Sequence, residues 1–308
     1  MYTYGRSTMH GMRVFITFLL GLLLLCVWPE SGEGALPTSP QTFIDTTYTL
    51  PSSTKTVNAG GDFQAALNSA VLGDTIVLQA GATFTGPFSL PNKTGSGWIY
   101  IQSSAYASLP APGTRVSPPD AANMPKITAA GTSAITTASN AHHYRFVGIE
   151  FKPTPGSFIF NLLAIGNGES SAGTLPNNIT FDRCYIHGDP SVGGRRGGAM
   201  DGNSVAVIDS YIDDFKEVGA DSQGLWAYNA PGPYKIVNNF ISAAGENVMF
   251  GGADPAISQS IPSDIEIRRN HFFKPVSWMG TTWTIKNHLE FKNARRALVE
   301  GNIFENNW

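Results

Sequence analysis

The sequence predicts an all-β solenoid, a chain wound into stacked coils whose strands pair in parallel. Three observations carry that expectation. A line of the form apolar-x-apolar-x-x-Asn-x-apolar recurs, most clearly over residues 234–242, 265–273 and 297–305, and more loosely over 144–151, 179–187 and 205–213. Aligned on Ile149, Cys184, Ser210, Asn239, Asn270 and Asn302, the copies are separated by 35, 26, 29, 31 and 32 residues. A drifting period of this length with strand-like alternation is a solenoid signature, whereas a β-sandwich predicts turns roughly every 8–12 residues. Finally, only 14% of the residues are charged and 33 are glycine, a composition suited to many turns and few long helices. Each copy reads as two short strands joined by a tight bend, where Asn tolerates left-handed dihedrals. Stacked coils about 4.8 Å apart would align these asparagines into a hydrogen-bonded ladder.

From the N-terminus, Arg6 and Arg13 precede an apolar run over 14–28, followed by small and polar residues at 31–35. This order reads as a signal peptide over 1–35, and the run is short for a membrane span. Secretion, to the periplasm, the cell surface or the medium, is therefore expected, with no stable membrane span once the signal is removed. Cleavage would leave Cys184 alone, so no intramolecular disulfide is expected. Cys184 occupies the ladder position of its coil, where a small buried side chain fits. Residues 36–56 are rich in Pro, Ser and Thr and read as a linker or extended lead-in.

The solenoid is expected over 57–308. Asp62 reads as an N-cap, residues 63–70 as a two-turn amphipathic helix and Gly73 as its stop. Such a helix before the first strand, at 75–79, would cap the end of the stack. Early strands follow at 98–102 and 126–128, separated by a Pro-rich excursion over 109–120 that should project from a coil corner. The chain stops at Trp308 just after a ladder position, without a closing helix, and further coils are expected beyond it. The near-balanced charge, 20 basic and 23 acidic residues for a net −3, gives no sign of a nucleic-acid partner. A monomer is expected.

The repeated line and the capping helix resemble the right-handed parallel β-helix proteins of the pectin-lyase-like superfamily, over roughly residues 57–308. The resemblance implies a right-handed, single-stranded parallel β-helix. The segments between copies of the line, at 161–165, 198–202, 224–229, 247–251 and 288–293, should then form a further sheet. With Leu289 and Phe291 facing inward, His288, Glu290 and Lys292 face out. Asn247, Met249 and Gly251 face out one coil back, with Glu246 at the edge, and Trp226 and Tyr228 two coils back.

This predicts a shallow groove with an aromatic floor for sugar rings at Trp226 and Tyr228, with His288 beside it. Arg195 and Arg196, in a Gly-rich loop, can grip a carboxylate with two parallel hydrogen bonds. Glu246, Asp254 and Glu290 are candidate Ca²⁺ ligands, and a desolvated Lys292 could act as a base. The line over 288–304 is also similar to the coil bearing the lysine base in the alginate lyase and chondroitinase B family. That resemblance implies Lys292 as the base and β-elimination on a uronate-containing acidic polysaccharide. It departs from the family in having Asn293 where Ser is expected and only Glu290 as a counterpart to the family's calcium-binding acids. The plain alternative for Lys292 is a solvated coil lysine. Two other functions stay open: a polygalacturonase-type hydrolase, and a non-catalytic surface protein that binds glycan along the groove.

Overall fold

Parallel pairing between consecutive coils builds three sheets. In the computed structural model, which describes residues 37–49 and 53–308, these sheets have nine, eight and seven strands. The signal-peptide reading at 1–35 lies outside the described residues. Among the described residues, no helix is long and apolar enough to cross a membrane.

The interior is built from side chains stacked at equal register. Along the nine-stranded sheet, Ile76, Ile101, Phe146, Phe181, Val207, Ile236 and Ile267 succeed one another across adjacent strands. All seven are buried. The rings of Phe146 and Phe181 lie 5.2 Å apart at 4°. Like stacks on like because a parallel register repeats the same inward position in every coil.

The ladder is present. The Asn270 Oδ1 accepts from the Asn239 backbone N–H at 2.9 Å and from its Nδ2 at 3.0 Å. Asn302 serves Asn270 in the same way at 2.8 and 3.0 Å. The column continues through the Ser210 N–H to Asn239 Oδ1 at 2.9 Å and the Cys184 N–H to Ser210 Oγ at 3.0 Å. Cys184 is thus a structural residue, and burial pushes its thiol up to about 12.

One detail differs from expectation. The left-handed residue of each bend is the one before the ladder position: Gly148, Arg183, Asp209, Asn238, Arg269 and Gly301, at φ between 49 and 65°. The bend needs one left-handed residue, and the following side chain is then free to turn inward to the next coil.

The capping helix spans Phe63–Ser69, with the Asp62 side chain accepting from the Ala65 N–H at 2.9 Å. Phe63 and Leu67 are buried, and the Phe63 ring meets Phe88 at 4.8 Å. The helix ends before Gly73, with Ala70 as its C-cap.

The stretch read as a linker is laid down on the solenoid. The strand Ser53–Val57 already pairs in parallel with Asp74–Leu78. Ahead of it, residues 38–49 cross several coils of the nine-stranded sheet. The Gln41 N–H donates to Asp264 at 2.8 Å, Lys235 Nζ to Ile44 O at 3.0 Å, Arg145 to Thr46 O at 2.9 Å and the Tyr48 hydroxyl to Gln102 at 2.8 Å.

The Pro-rich excursion also folds back, along the left-handed column. The Gly113 N–H donates to Asp209 at 2.7 Å, Arg115 Nε to Asn238 O at 3.0 Å and Arg183 to Pro110 O at 3.0 Å.

Candidate functional site

The outer face of the seven-stranded sheet carries the candidate groove. Its strands include Asn161–Ile165, Arg196–Met200, Gln223–Ala227, Glu246–Phe250 and Leu289–Phe291. Register sets Val248 against Leu289 and Phe250 against Phe291, so these point inward, and Ala199, Trp226, Met249 and Glu290 form an outward row. The expected alternation at Leu289–Phe291 is therefore found.

A second row opens each strand, with Asn161, Arg196, Gln223 and Glu246 side by side. Their side chains are chained by hydrogen bonds. Arg196 donates from Nη1 to Asn161 Oδ1 at 3.3 Å and from Nε to Gln223 Oε1 at 2.7 Å, and Gln223 donates from Nε2 to Glu246 Oε2 at 2.7 Å. The Arg196 guanidinium lies 4.0 Å from the Trp226 ring centroid and 5.1 Å from that of Phe160. Burial, with Arg195 beside it, pushes Arg196 down to about 10.

The expected aromatic floor takes another form. Tyr228 stacks on Trp226 at 4.6 Å and 19°, and Arg196 covers the other face of the indole. Tyr228 follows Trp226 by two residues, just past the end of its strand, and Arg196 reaches the indole from the neighbouring coil. Trp226 therefore presents its edge, with Nε1 donating to Gly251 O at 2.8 Å.

Asp201 holds Tyr228 in place, its Oδ1 accepting from the backbone N–H of Tyr228 at 2.7 Å and of Asn229 at 2.8 Å. Burial nevertheless raises the Asp201 carboxyl from 3.8 to about 6. A raised folded value means that its contribution to stability is full below the unfolded value and is lost as pH rises through about 6. The expected result is that wild type loses about 2–3 kcal/mol relative to Asp201→Asn between about pH 4 and about pH 7. Urea unfolding of both proteins at the two pH values checks this, and parallel pH profiles would refute it.

The acids divide. Glu246 is fully buried, and burial raises its carboxyl, with Asp221 and Glu290 adding to the effect. Glu246 Oε1 and Glu290 Oε2 receive no hydrogen bond. Each faces a lysine, Lys286 at 3.8 Å and Lys292 at 3.7 Å, within reach of charge but too far for a hydrogen bond. Lys286 also pairs with Asp221 at 2.7 Å. Asp254 is exposed beyond the far end of Glu246–Phe250 and does not join Glu246. Among the described residues, no three His, Cys, Asp or Glu converge on a common ion position.

Other candidates are placed differently from expectation. His288 does not face the groove. It is buried against Phe272 at 6.5 Å and Phe304 at 5.9 Å, and burial together with Lys274 pushes it down to about 4. Asn247 likewise turns inward, donating to Ile241 O and Phe273 O. Parity counted along a strand fails at its first residues, where the bend from the preceding sheet rotates the side chain. Arg195 has its fork taken by Glu217, at 2.5 and 2.7 Å. Lys292 stands at the groove with its side chain 39% exposed.

Three contributors had little sequence signal. Gln223 joins Arg196 to Glu246, Lys286 comes from a loop far along the chain, and Phe160 backs both arginines. The Lys286 loop is docked by the Thr284 N–H to Glu217 O at 3.0 Å and the Lys286 N–H to Ala244 O at 3.0 Å.

Among solved structures, this chain is similar to an alginate lyase from Paenibacillus sp. str. FPU-7, with 14% identity, a TM-score of 0.38, and coverage of 83% of this chain and 98% of that one. It is similar to the pectate lyase Pel9A, with 14% identity, a TM-score of 0.35, and coverage of 82% and 78%. It is also similar to a mutant of the PL6 family alginate lyase AlyGC, with 11% identity, a TM-score of 0.36, and coverage of 85% and 41%. The fold is a parallel β-helix. The fold stands on the chain's own three parallel sheets. No family model and no curated protein matches the chain.

Proposed function

We propose that this chain is an exported, polysaccharide-active protein that takes an acidic, uronate-containing glycan along the outer face of the seven-stranded sheet and cleaves it by β-elimination. The observation that carries this reading is the groove's paired chemistry. An immobilised guanidinium, Arg196, and two lysines, Lys286 and Lys292, stand beside two carboxylates whose free oxygens lack donors.

Arg196 has N–H groups left over after Asn161 and Gln223 and would hold a uronate carboxylate. Lys292 would remove the proton next to that carboxylate. A bound glycan would cover its half-exposed side chain and so supply the desolvation a lysine base needs. The electron pair of the broken C–H bond forms the new C=C bond as the glycosidic oxygen departs. Water in the open groove would return a proton to that oxygen. Glu246 and Glu290, each with a carboxylate oxygen that receives no hydrogen bond, would hold Ca²⁺, which would neutralise the uronate when bound.

The test is incubation of the purified protein with uronate polymers, with and without Ca²⁺, while recording the absorbance of the unsaturated product. Wild type is expected to generate it, and Lys292→Ala to lose the activity while unfolding at an unchanged temperature. No chromophore under either condition sinks the lyase reading. New reducing ends without it indicate hydrolysis, and binding without either product indicates a glycan-binding protein. Calorimetric Ca²⁺ titration of wild type against the Glu246→Gln/Glu290→Gln double variant tests the ion separately, and equal binding by both removes these ligands. Sequencing the N-terminus of protein recovered from the medium tests export.

A further inference from the structure

The groove's arginine pair has exposed aromatic neighbours that the proposed reaction does not use. Residues 158–160 lead into the strand Asn161–Ile165 and already run beside the next coil. There the backbone N–H of Arg195 donates to Ile159 O at 2.9 Å and that of Arg196 to Phe160 O at 3.1 Å. Ile159 is buried, while Phe158 and Phe160 on either side of it are 38% and 50% exposed. Extended backbone sends alternate side chains to opposite faces, so with Ile159 in the core both phenylalanines point outward.

Phe160 ends a stack of flat groups laid across three coils. Tyr228 lies on Trp226 at 4.6 Å, and the Arg196 guanidinium stands 4.0 Å from the Trp226 centroid and 5.1 Å from that of Phe160. The Arg195 guanidinium lies 4.4 Å from the same phenyl ring. Both arginines have other anchors. Arg195 is held by Glu217, and Arg196 donates to two neutral amides, Asn161 and Gln223, which leave its charge for a ligand. The phenyl ring therefore rests on groups that are already fixed, and covering its exposed side would cost little further ordering. The order of strands in the sheet puts Phe160 on the far side of Arg196 from Lys292.

We infer that Phe160, with Phe158 beside it, is a stacking subsite for the C–H face of a sugar ring, one residue along the glycan from the uronate whose carboxylate Arg196 holds. The negative face of an aromatic ring suits the slightly positive hydrogens that line one side of a pyranose. Phenyl rings bordered by guanidinium groups call for a ligand that is apolar on one face and anionic at its rim, and a uronate chain is both. The subsite extends the groove by one coil, away from Lys292. It rests on the groove taking a uronate glycan and does not depend on the cleavage step.

The experiment is calorimetry on the intact chain carrying Lys292→Ala, which blocks cleavage, with tetramers of mannuronate, guluronate and galacturonate as probes. Phe160→Ala is expected to weaken the tightest-bound tetramer by about five- to tenfold, and Phe158→Ala to weaken it in the same direction. Phe160→Leu keeps an apolar side chain without a flat face and should lose as much as alanine, which also serves should the alanine variant unfold. Phe160→Trp should stay within about twofold of the parent. Phe43→Ala, which removes a 53% exposed ring from the lead-in on a different sheet, should change nothing. In proton NMR of the bound tetramer, the ring C–H signals of one sugar should move upfield with the parent and with Phe160→Trp, and stay in place with Phe160→Leu. Affinity within about twofold of the parent in Phe160→Ala, or an unchanged upfield shift in Phe160→Leu, overturns the subsite. If Arg196→Ala abolishes binding in that same series, the groove reading stands without the subsite. No binding of any tetramer by the parent overturns both together.

Discussion

Replacing Lys274 by methionine is expected to lower the unfolding free energy by about 3–5 kcal/mol, the penalty typical of breaking a buried, fully bonded charge. Lys274 is completely buried. Its ammonium donates to Ala243 O at 2.7 Å, Ala244 O at 2.9 Å, Gly245 O at 2.7 Å and Asn247 Oδ1 at 3.1 Å. Burial pushes Lys274 down to about 7 while Glu246 pulls it up, and the four oxygens around it call for a charged donor. Methionine keeps much of the volume but strands those four acceptors in a dry interior. The bend over 243–246 also delivers Glu246 to the groove, so the loss should reach the site. Urea unfolding measures the effect, and a methionine variant within about 1 kcal/mol of wild type would show that the cage contributes little.

Arg196→Ala is expected to weaken binding of a uronate oligosaccharide by about 30- to 150-fold, corresponding to the roughly 2–3 kcal/mol of a charge-assisted hydrogen bond to a carboxylate. The guanidinium is held in place before any ligand arrives, between Phe160 and Trp226 in stacking contact and between Asn161 and Gln223 in hydrogen bonding. A ligand would therefore lose little to ordering it. Arg196→Lys should not restore affinity, because an ammonium has neither the planar stack nor the fork. Calorimetry on a Lys292→Ala background, where cleavage is blocked, isolates binding. Affinity within about twofold of the parent would remove Arg196 from the glycan site.

The two residues also show where a sequence stops being readable. Lys274 stands just before Pro275, and its four acceptors lie 27–31 residues upstream. Arg196 was visible as a carboxylate binder in a glycine-rich stretch, but Arg195 looked identical, and only the fold gives one to Glu217 and the other to the groove. His288 shows the opposite error. Alternation counted outward from Leu289 places it at the groove, and the bend turns it inward against Phe272.

The sequence by itself determined the repeat, the ladder positions, the capping helix and which strands share a sheet. These are periodic or local properties, and each coil restates them to the next through the same backbone pairing. The tertiary structure alone decided which charges meet, how the lead-in lies across the coils, and that Trp226 shows an edge instead of a face. Those outcomes depend on side chains from different coils and loops, whose separation along the chain carries no period from which their meeting could be read.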